Sequence, residues 1–205
     1  TAFLFGTNVN LMSLLMNVTP EGYAKVSALG WIVTFAPFII VLVMSARINK
    51  MSVQQTVLWY VIYSILMGMS LSFIFWAYTS ASIFKTFIIT AGMFGVMAVV
   101  GYTTKTDLTK FGSFLLMALI GIIIATLVNF FMHSARLDYI ISIFGVLIFT
   151  GLTAFDVQKI KQIGDAGIND GDVMAKITVH AALSLYLDFL NLFLYLLRFF
   201  GNSRD

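Results

Sequence analysis

Six long apolar stretches constrain this chain more than any other feature. They cover residues 24–46, 53–78, 83–102, 111–132, 137–160 and 177–200. A helix needs about 20 apolar residues to cross the ~30 Å hydrocarbon core of a bilayer, and each stretch is at least that long. Only 10% of the residues are charged, whereas soluble domains carry about 25%. The sequence therefore predicts an all-α polytopic membrane protein.

Residues 1–16 form a shorter apolar stretch that contains Asn8 and Asn10. Because the chain opens on Thr1 rather than Met, we interpret this stretch as the end of an incomplete first helix. The connections between stretches are short, and none has room for a soluble domain. We therefore expect residues 1–205 to form a single domain, a bundle of seven transmembrane helices.

Several classes of function are excluded by composition. The chain has no cysteine, which removes disulfides, thiolate metal sites and cysteine nucleophiles. The twelve Lys and Arg residues are scattered and form no basic face of the kind that binds nucleic acid. The two histidines, His133 and His180, are far apart in sequence, so a histidine metal site is not expected. We predict no bound cofactor.

Positive charges indicate the orientation of the chain, because loops on the cytoplasmic side carry more Lys and Arg. We count the incomplete helix at residues 1–16 as the first span. Seven such residues then follow the second, fourth and sixth spans: Arg47, Lys50, Lys105, Lys110, Lys159, Lys161 and Lys176. Five lie on the opposite side: Lys25, Lys85, Arg136, Arg198 and Arg204. This bias predicts a cytoplasmic N-terminus and a C-terminus on the outside. Short loops and the absence of cysteine favour a bacterial inner membrane.

Two aspartates lie inside predicted spans, Asp156 in the sixth and Asp188 in the seventh. An ionised carboxylate at the centre of a spanning helix costs about 2.5–3.5 kcal/mol, so such residues usually face the bundle interior and serve a function. The alternative is a neutral Asp that hydrogen-bonds a neighbouring helix.

The two aspartates lie on consecutive antiparallel spans, and the midpoint between them is residue 172, in the connecting loop. A facing pair is therefore possible if residues 173–180 lie partly in the membrane interface. Two carboxylates in contact titrate as a unit and can share a proton near neutral pH. When both are ionised they form a hard-oxygen site for Ca²⁺, which prefers six to eight oxygen ligands. We therefore predict a proton sensor and a weak calcium site at Asp156 and Asp188.

Arg47 ends the second span on the same side as the Asp156 end of the sixth. It is either an ordinary topological anchor or the partner of Asp156 in a salt bridge that is lost when the carboxylate is protonated.

Four segments carry a family resemblance. The stretch 182–201 around Asp188 resembles the last helix of the transmembrane Bax-inhibitor-motif family, and so do Phe155-Asp156-Val-Gln, Arg47-Ile-Asn-Lys-Met-Ser and Gly68-Met-Ser-Leu-Ser in their spans. The resemblance implies a seven-helix fold with a central last helix, and a pH-sensitive calcium leak. It further implies that Asp156 and Asp188 sense pH and that Arg47 acts as a gating latch. One departure is the spacing of the two aspartates, which is long because the loop between their helices is long.

Two other functions compete with the calcium leak. Two membrane aspartates could activate water in an intramembrane aspartyl protease, but the Gly-x-Gly-Asp and Pro-Ala-Leu motifs of that class are missing. The chain could also regulate cell death or a membrane protease through membrane-protein partners, without passing ions. We predict that it is not an enzyme, and that its partners are Ca²⁺, protons and the lipid bilayer.

Overall fold

The computed structural model describes residues 1–18, 24–47, 50–167 and 170–202. Ile48 and Asn49, which belong to one of the family segments, and Arg204, which enters the charge count, lie outside these ranges. The secondary structure, in chain order, is α1 Ala2–Thr7, α2 Val9–Leu15, β1 Met16–Val18, β2 Ala24–Val26, α3 Ala28–Arg47, α4 Val53–Ser70, α5 Ile74–Ala77, α6 Ser80–Thr103, α7 Thr109–Met132, α8 Ala135–Asp165 and α9 Gly171–Phe200.

Six helical segments in the described ranges are long and apolar enough to cross a membrane. They are α3, the run from α4 to α5 through a 3₁₀ turn at Leu71–Phe73, and α6, α7, α8 and α9. The prediction of an all-α polytopic membrane protein is confirmed at this level, while the count of seven helices is not. All six overlap the predicted apolar stretches, but the stretch predicted from residue 24 begins too early, since Ala24–Val26 form strand β2 and α3 begins at Ala28. However, α8 and α9 extend five or six residues further into their connection, because polar ends of helices continue beyond the hydrocarbon.

The structure differs from the expected single helix at residues 1–16. The chain breaks at Asn8, whose side chain accepts hydrogen bonds from the N–H groups of Asn10 and Leu11 and so caps the start of α2. An Asn side chain satisfies backbone donors that a helix start leaves open, which favours a new helix over continuation of α1. Strands β1 and β2 then form a short antiparallel pair.

The described residues group into two compact units. One contains residues 1–80 and 175–179, with an apolar core in which Met12 and Leu15 of α2 pack on Val33 of α3. Gly68 of α4 lies directly against Thr1, since a side-chain carbon at position 68 would collide with the Thr1 hydroxyl. This close contact explains the small residue in the middle of α4.

The other unit contains residues 81–174 and 180–202, and therefore most of α6 to α9. Its core joins apolar side chains of α7, α8 and α9, namely Leu115, Ile122, Ile141, Ile148, Phe149, Leu152, Leu192 and Leu196. Within this unit α9 contacts all three neighbours: α6 through Phe189, α7 through Tyr195, and α8 along its length. The expectation of one domain over residues 1–205 stays a prediction, because two compact units can belong to one domain.

Candidate site at the α8–α9 carboxyl pair

The site is positioned by the antiparallel register of α8 and α9. Tyr139 stacks on Phe199 with ring centroids 5.1 Å apart, and the ring of Tyr195 covers Gly145, where no side-chain carbon would fit. The midpoints of these two pairs are residues 169 and 170. This register places Ser184 of α9 directly across from Asp156 of α8.

Asp156 and Ser184 are hydrogen-bonded, with the Ser184 hydroxyl donating to Oδ2 of the carboxylate. Asp188 lies one turn further along α9, about 6 Å along the axis at 1.5 Å per residue, on the face that also carries Ser184. The carboxyl groups of Asp156 and Asp188 are close enough to act on each other electrostatically. The site therefore consists of two carboxyl groups and one hydroxyl between two helices.

Burial distinguishes the two carboxyl groups. Asp188 is only 5% exposed, and among the described residues its Oδ2 atom has no hydrogen-bond partner. Asp156 is half-buried. A buried polar oxygen without a partner is costly and calls for an explanation, which for a carboxylate is a proton, a water molecule or a bound cation. The pair can therefore hold a proton or contribute oxygen ligands to a metal ion.

Other hydrogen bonds hold α8 on the side away from α9. The buried side chain of Gln158 bonds the connection between α6 and α7, and Lys161 bonds the last turn of α6. At the opposite end of the helix pair, Arg198 forms a 3.1 Å ion pair with Asp138. Asp138 precedes Asp156 by 18 residues, so about 27 Å of helix separates this ion pair from the carboxyl pair.

Comparison with known proteins identifies the family. The family model described as "Inhibitor of apoptosis-promoting Bax1" matches residues 1–205. The chain belongs to this family. The resemblance to the Bax-inhibitor family, based on the segments around Asp188, Asp156, Arg47 and Gly68, is thus confirmed.

Three relatives of this Bax-inhibitor family member come from bacteria. The inner membrane protein YbhL of Escherichia coli (strain K12) is 51% identical over 170 residues, which are 82% of this chain and 73% of YbhL. An uncharacterized protein of Borreliella burgdorferi is 52% identical over 168 residues, 82% of this chain and 72% of its own length. An uncharacterized membrane protein of Streptococcus pyogenes serotype M1 is 38% identical over 200 residues, 98% and 82% of the two chains. Two of these three relatives are named as membrane proteins, and none of the three is named as an enzyme.

Of the residues predicted for the site, the structure brings Asp156 and Asp188 together. Arg47 is the last residue of α3 and is exposed, and its pairing with Asp156 stays a prediction. Among the described ranges, no group of three or more His, Cys, Asp or Glu side chains converges. The calcium site therefore also stays a prediction, with two carboxylates as its only candidate acidic ligands.

Ser184 is the site residue that sequence reasoning missed. Its signal was present, since it precedes Asp188 by four residues and so shares its helix face. From the sequence, Asp188 could lie across from Asp156 only if residues 173–180 were partly in the membrane interface. Placing Ser184 across from Asp156, with Asp188 one turn deeper, removes that difficulty.

Proposed function

We propose that this Bax-inhibitor family member is a pH-sensitive calcium leak of the inner membrane, in which Asp156 and Asp188 form the proton sensor. The observation that carries the proposal is the carboxyl pair between α8 and α9, in which Asp188 is buried and has one carboxyl oxygen without a described partner. Ionisable groups inside a membrane bundle typically mark ion or proton pathways.

The pH dependence follows from the charges around the pair. The charged group that acts on Asp188 is Asp156, and the Ser184 hydroxyl faces Asp156. Of the nearby Lys and His residues on α8 and α9, Lys161 is bonded to α6, Lys159 and His180 are exposed, and Lys176 is half-buried. With both carboxyl groups ionised the pair carries two negative charges and favours Ca²⁺. Protons compete for the same oxygens, so bound calcium leaves as the pH falls.

Calcium is the cargo in this proposal and binds weakly. The pair and Ser184 supply few of the six to eight oxygen atoms that Ca²⁺ prefers, so water molecules and backbone carbonyls complete the shell. Weak binding suits a leak, because an ion that is held tightly cannot leave the site. The proposal assigns no chemical reaction to the two carboxyl groups.

The test is calcium efflux from proteoliposomes of purified protein between pH 5 and pH 8. Wild-type flux should rise as the pH falls, and Asp156→Asn or Asp188→Asn should abolish this pH dependence, because each removes the shared proton. The double variant should behave like either single variant, as expected of a coupled unit. The sensor proposal is wrong if both single variants keep the wild-type pH profile.

The proposal also assigns a gating role to Arg47, which we propose pairs with ionised Asp156 and keeps the leak closed at neutral to alkaline pH. A guanidinium stays charged and can grip a carboxylate with two parallel hydrogen bonds. Without this ion pair, nothing in the proposal holds the leak closed at alkaline pH. Arg47→Ala should therefore leak calcium at pH 8 almost as fast as wild type does at pH 6.

Arg47→Lys is the graded control for this latch. It keeps the charge but loses the two-pronged geometry, so its leak at pH 8 should be intermediate. If Arg47→Ala stays as tight as wild type at pH 8, Arg47 is only a topological anchor.

The description of the matching family favours a second candidate, a membrane regulator that acts through protein partners without ion flux. The same liposomes separate the two functions, since a pure regulator passes no calcium at any pH. An intramembrane protease would also pass none, and would instead cleave an added transmembrane substrate.

A further inference from the structure

The amide of Gln158 on α8 joins this helix to the connection between α6 and α7, residues 104–108. Its Nε2 atom donates a 2.8 Å hydrogen bond to the carbonyl of Thr106, and its Oε1 atom accepts a 2.8 Å bond from the N–H of Leu108. The residue is only 7% exposed, so water competes little for these bonds. We call this pair of bonds the Gln158 clamp.

A second contact lies one turn further along α8. The Lys161 ammonium donates a 2.9 Å hydrogen bond to the carbonyl of Tyr102, in the last turn of α6. It also lies 4.7 Å from the centre of the Tyr102 ring. A cation at a helix C-terminus is favourable because the last carbonyls lack helical partners. Gln158 and Lys161 together fasten one side of α8 to the end of α6 and to the segment that follows it.

The Gln158 clamp and the carboxyl pair lie on opposite sides of α8. Asp156 and Gln158 are two residues apart, which is about 200° around an α-helix at 3.6 residues per turn. Asp156 faces α9, where it accepts the hydrogen bond of Ser184. Gln158 faces the opposite way and bonds Thr106 and Leu108. At this level α8 is therefore held from two opposite sides.

We propose that Gln158 is a positioning residue for Asp156: its clamp fixes the rotation of α8, so that the carboxylate stays on Ser184 and Asp188 in the closed leak. This inference rests on the proposed function, because the closed leak is the state that it explains. Both ends of the amide are used, one as donor and one as acceptor, so the clamp fixes α8 in rotation as well as along its axis. Without it, α8 can turn and carry Asp156 away from α9.

The test uses three purified variants and wild type in calcium-loaded proteoliposomes at pH 8 and pH 6. Gln158→Met keeps the size of the side chain but removes both bonds, and should raise the pH 8 leak about tenfold, the factor that corresponds to one net hydrogen bond of about 1.4 kcal/mol. Its leak at pH 6 should stay near wild type, so the ratio between the two pH values falls. Gln158→Glu keeps the acceptor for Leu108 but sets a carboxylate oxygen against the Thr106 carbonyl, so at pH 8 it should raise the leak at least as much as Gln158→Met.

Gln162→Met is the matched control. Gln162 is one turn further along α8 and is exposed, so the same substitution there should leave both leak rates unchanged. If Gln158→Met lowers the melting temperature but keeps the wild-type ratio of leak rates, the residue has only a structural role and the inference is wrong.

A distance measurement separates this inference from the proposed function. The chain has no cysteine, so spin labels can be placed at two exposed sites, Lys110 on α7 and Lys159 on α8. Gln158→Met should shift or broaden the distance between the labels, and Gln162→Met should not. If wild type passes no calcium, the leak proposal fails while the distance still tests the clamp. If the distance in Gln158→Met equals that of wild type, Gln158 does not position α8.

Discussion

Ser184 shows how one hydroxyl group shapes the carboxyl pair. It donates a hydrogen bond to Asp156 across the α8–α9 contact and thereby orients that carboxylate toward Asp188. In this arrangement the Asp156 carboxylate accepts the Ser184 hydrogen bond, while Asp188 is the more deeply buried of the two carboxyl groups. The division of roles within the pair follows from local hydrogen bonding and burial.

Removing this hydroxyl should weaken calcium binding in the proposed site. A hydrogen bond to a charged group contributes about 1.5–3 kcal/mol, so we expect Ser184→Ala to weaken the apparent calcium affinity of the leak about tenfold. Ser184→Thr, which keeps the hydroxyl, should restore most of it. The measurement is the calcium dependence of efflux at fixed pH.

Ser142→Ala is the matched control for this prediction. Ser142 is buried on α8, and its hydroxyl donates to the carbonyl of Asp138 in its own helix. Equal effects of Ser142→Ala and Ser184→Ala would show that lost packing, and not the bond to Asp156, changes the affinity.

At the scale of single elements, the segment before α7 makes a prediction that is independent of any function. The Thr109 hydroxyl donates a 2.5 Å hydrogen bond to the Asp107 carboxylate, and the Thr109 N–H donates another at 2.9 Å. These bonds, with a smaller contribution from the charge of Lys110, hold the pKa of Asp107 below its usual value. Asp107 therefore stabilises the start of α7 above its ordinary pKa of about 3.9, and this effect is lost as the pH falls through the lowered value.

The check is a carboxyl NMR titration of the protein in detergent micelles. Thr109→Val removes the hydroxyl, which contributes most, and should raise the pKa of Asp107 toward its usual value. Lys110→Gln should raise it less, because the charge of Lys110 lowers the pKa of Asp107 less than either hydrogen bond from Thr109 does. A larger effect of Lys110→Gln than of Thr109→Val would contradict this order.

The elements also show how far sequence reasoning extends. The six spans were predictable because each must satisfy one strong requirement, about 20 apolar residues in succession. The start of the chain was not, because the choice between one helix and two depends on the capping bonds of Asn8. Asp156 and Asp188 were predictable as a pair because charges in apolar helices are rare. Ser184 and Gln158 were not, since their roles depend on the register of α8 with α9 and on the path of the segment after α6.

For the whole molecule, the surface is consistent with a lipid environment. Many large apolar side chains are exposed, among them Leu42 at 70% and Phe131 at 80%. A soluble protein rarely leaves large apolar patches in water, whereas a bilayer solvates them at no cost. The relative YbhL is named as an inner membrane protein, which agrees with an apolar surface of this kind.

Orientation across that membrane is the remaining property of the whole molecule that can be tested. Consecutive helices that cross a membrane run in opposite directions, so we expect the α6–α7 connection on one side, and the α7–α8 connection and the end of α9 on the other. The seven Lys and Arg residues near the first side, against five near the second, predict that the first side is cytoplasmic. The α9 end of the chain is then outside.

Single cysteines test this prediction cleanly, because the chain has none of its own. The exposed positions Lys105, His133 and Asn202 sample the α6–α7 connection, the α7–α8 connection and the end of α9. In intact spheroplasts, a membrane-impermeant thiol reagent should label His133→Cys and Asn202→Cys but not Lys105→Cys, and after lysis it should label all three. If only Lys105→Cys is labelled before lysis, the orientation is the opposite of the one predicted. The Gln158 clamp would then face the outside, since Thr106 and Leu108 lie in the same connection as Lys105.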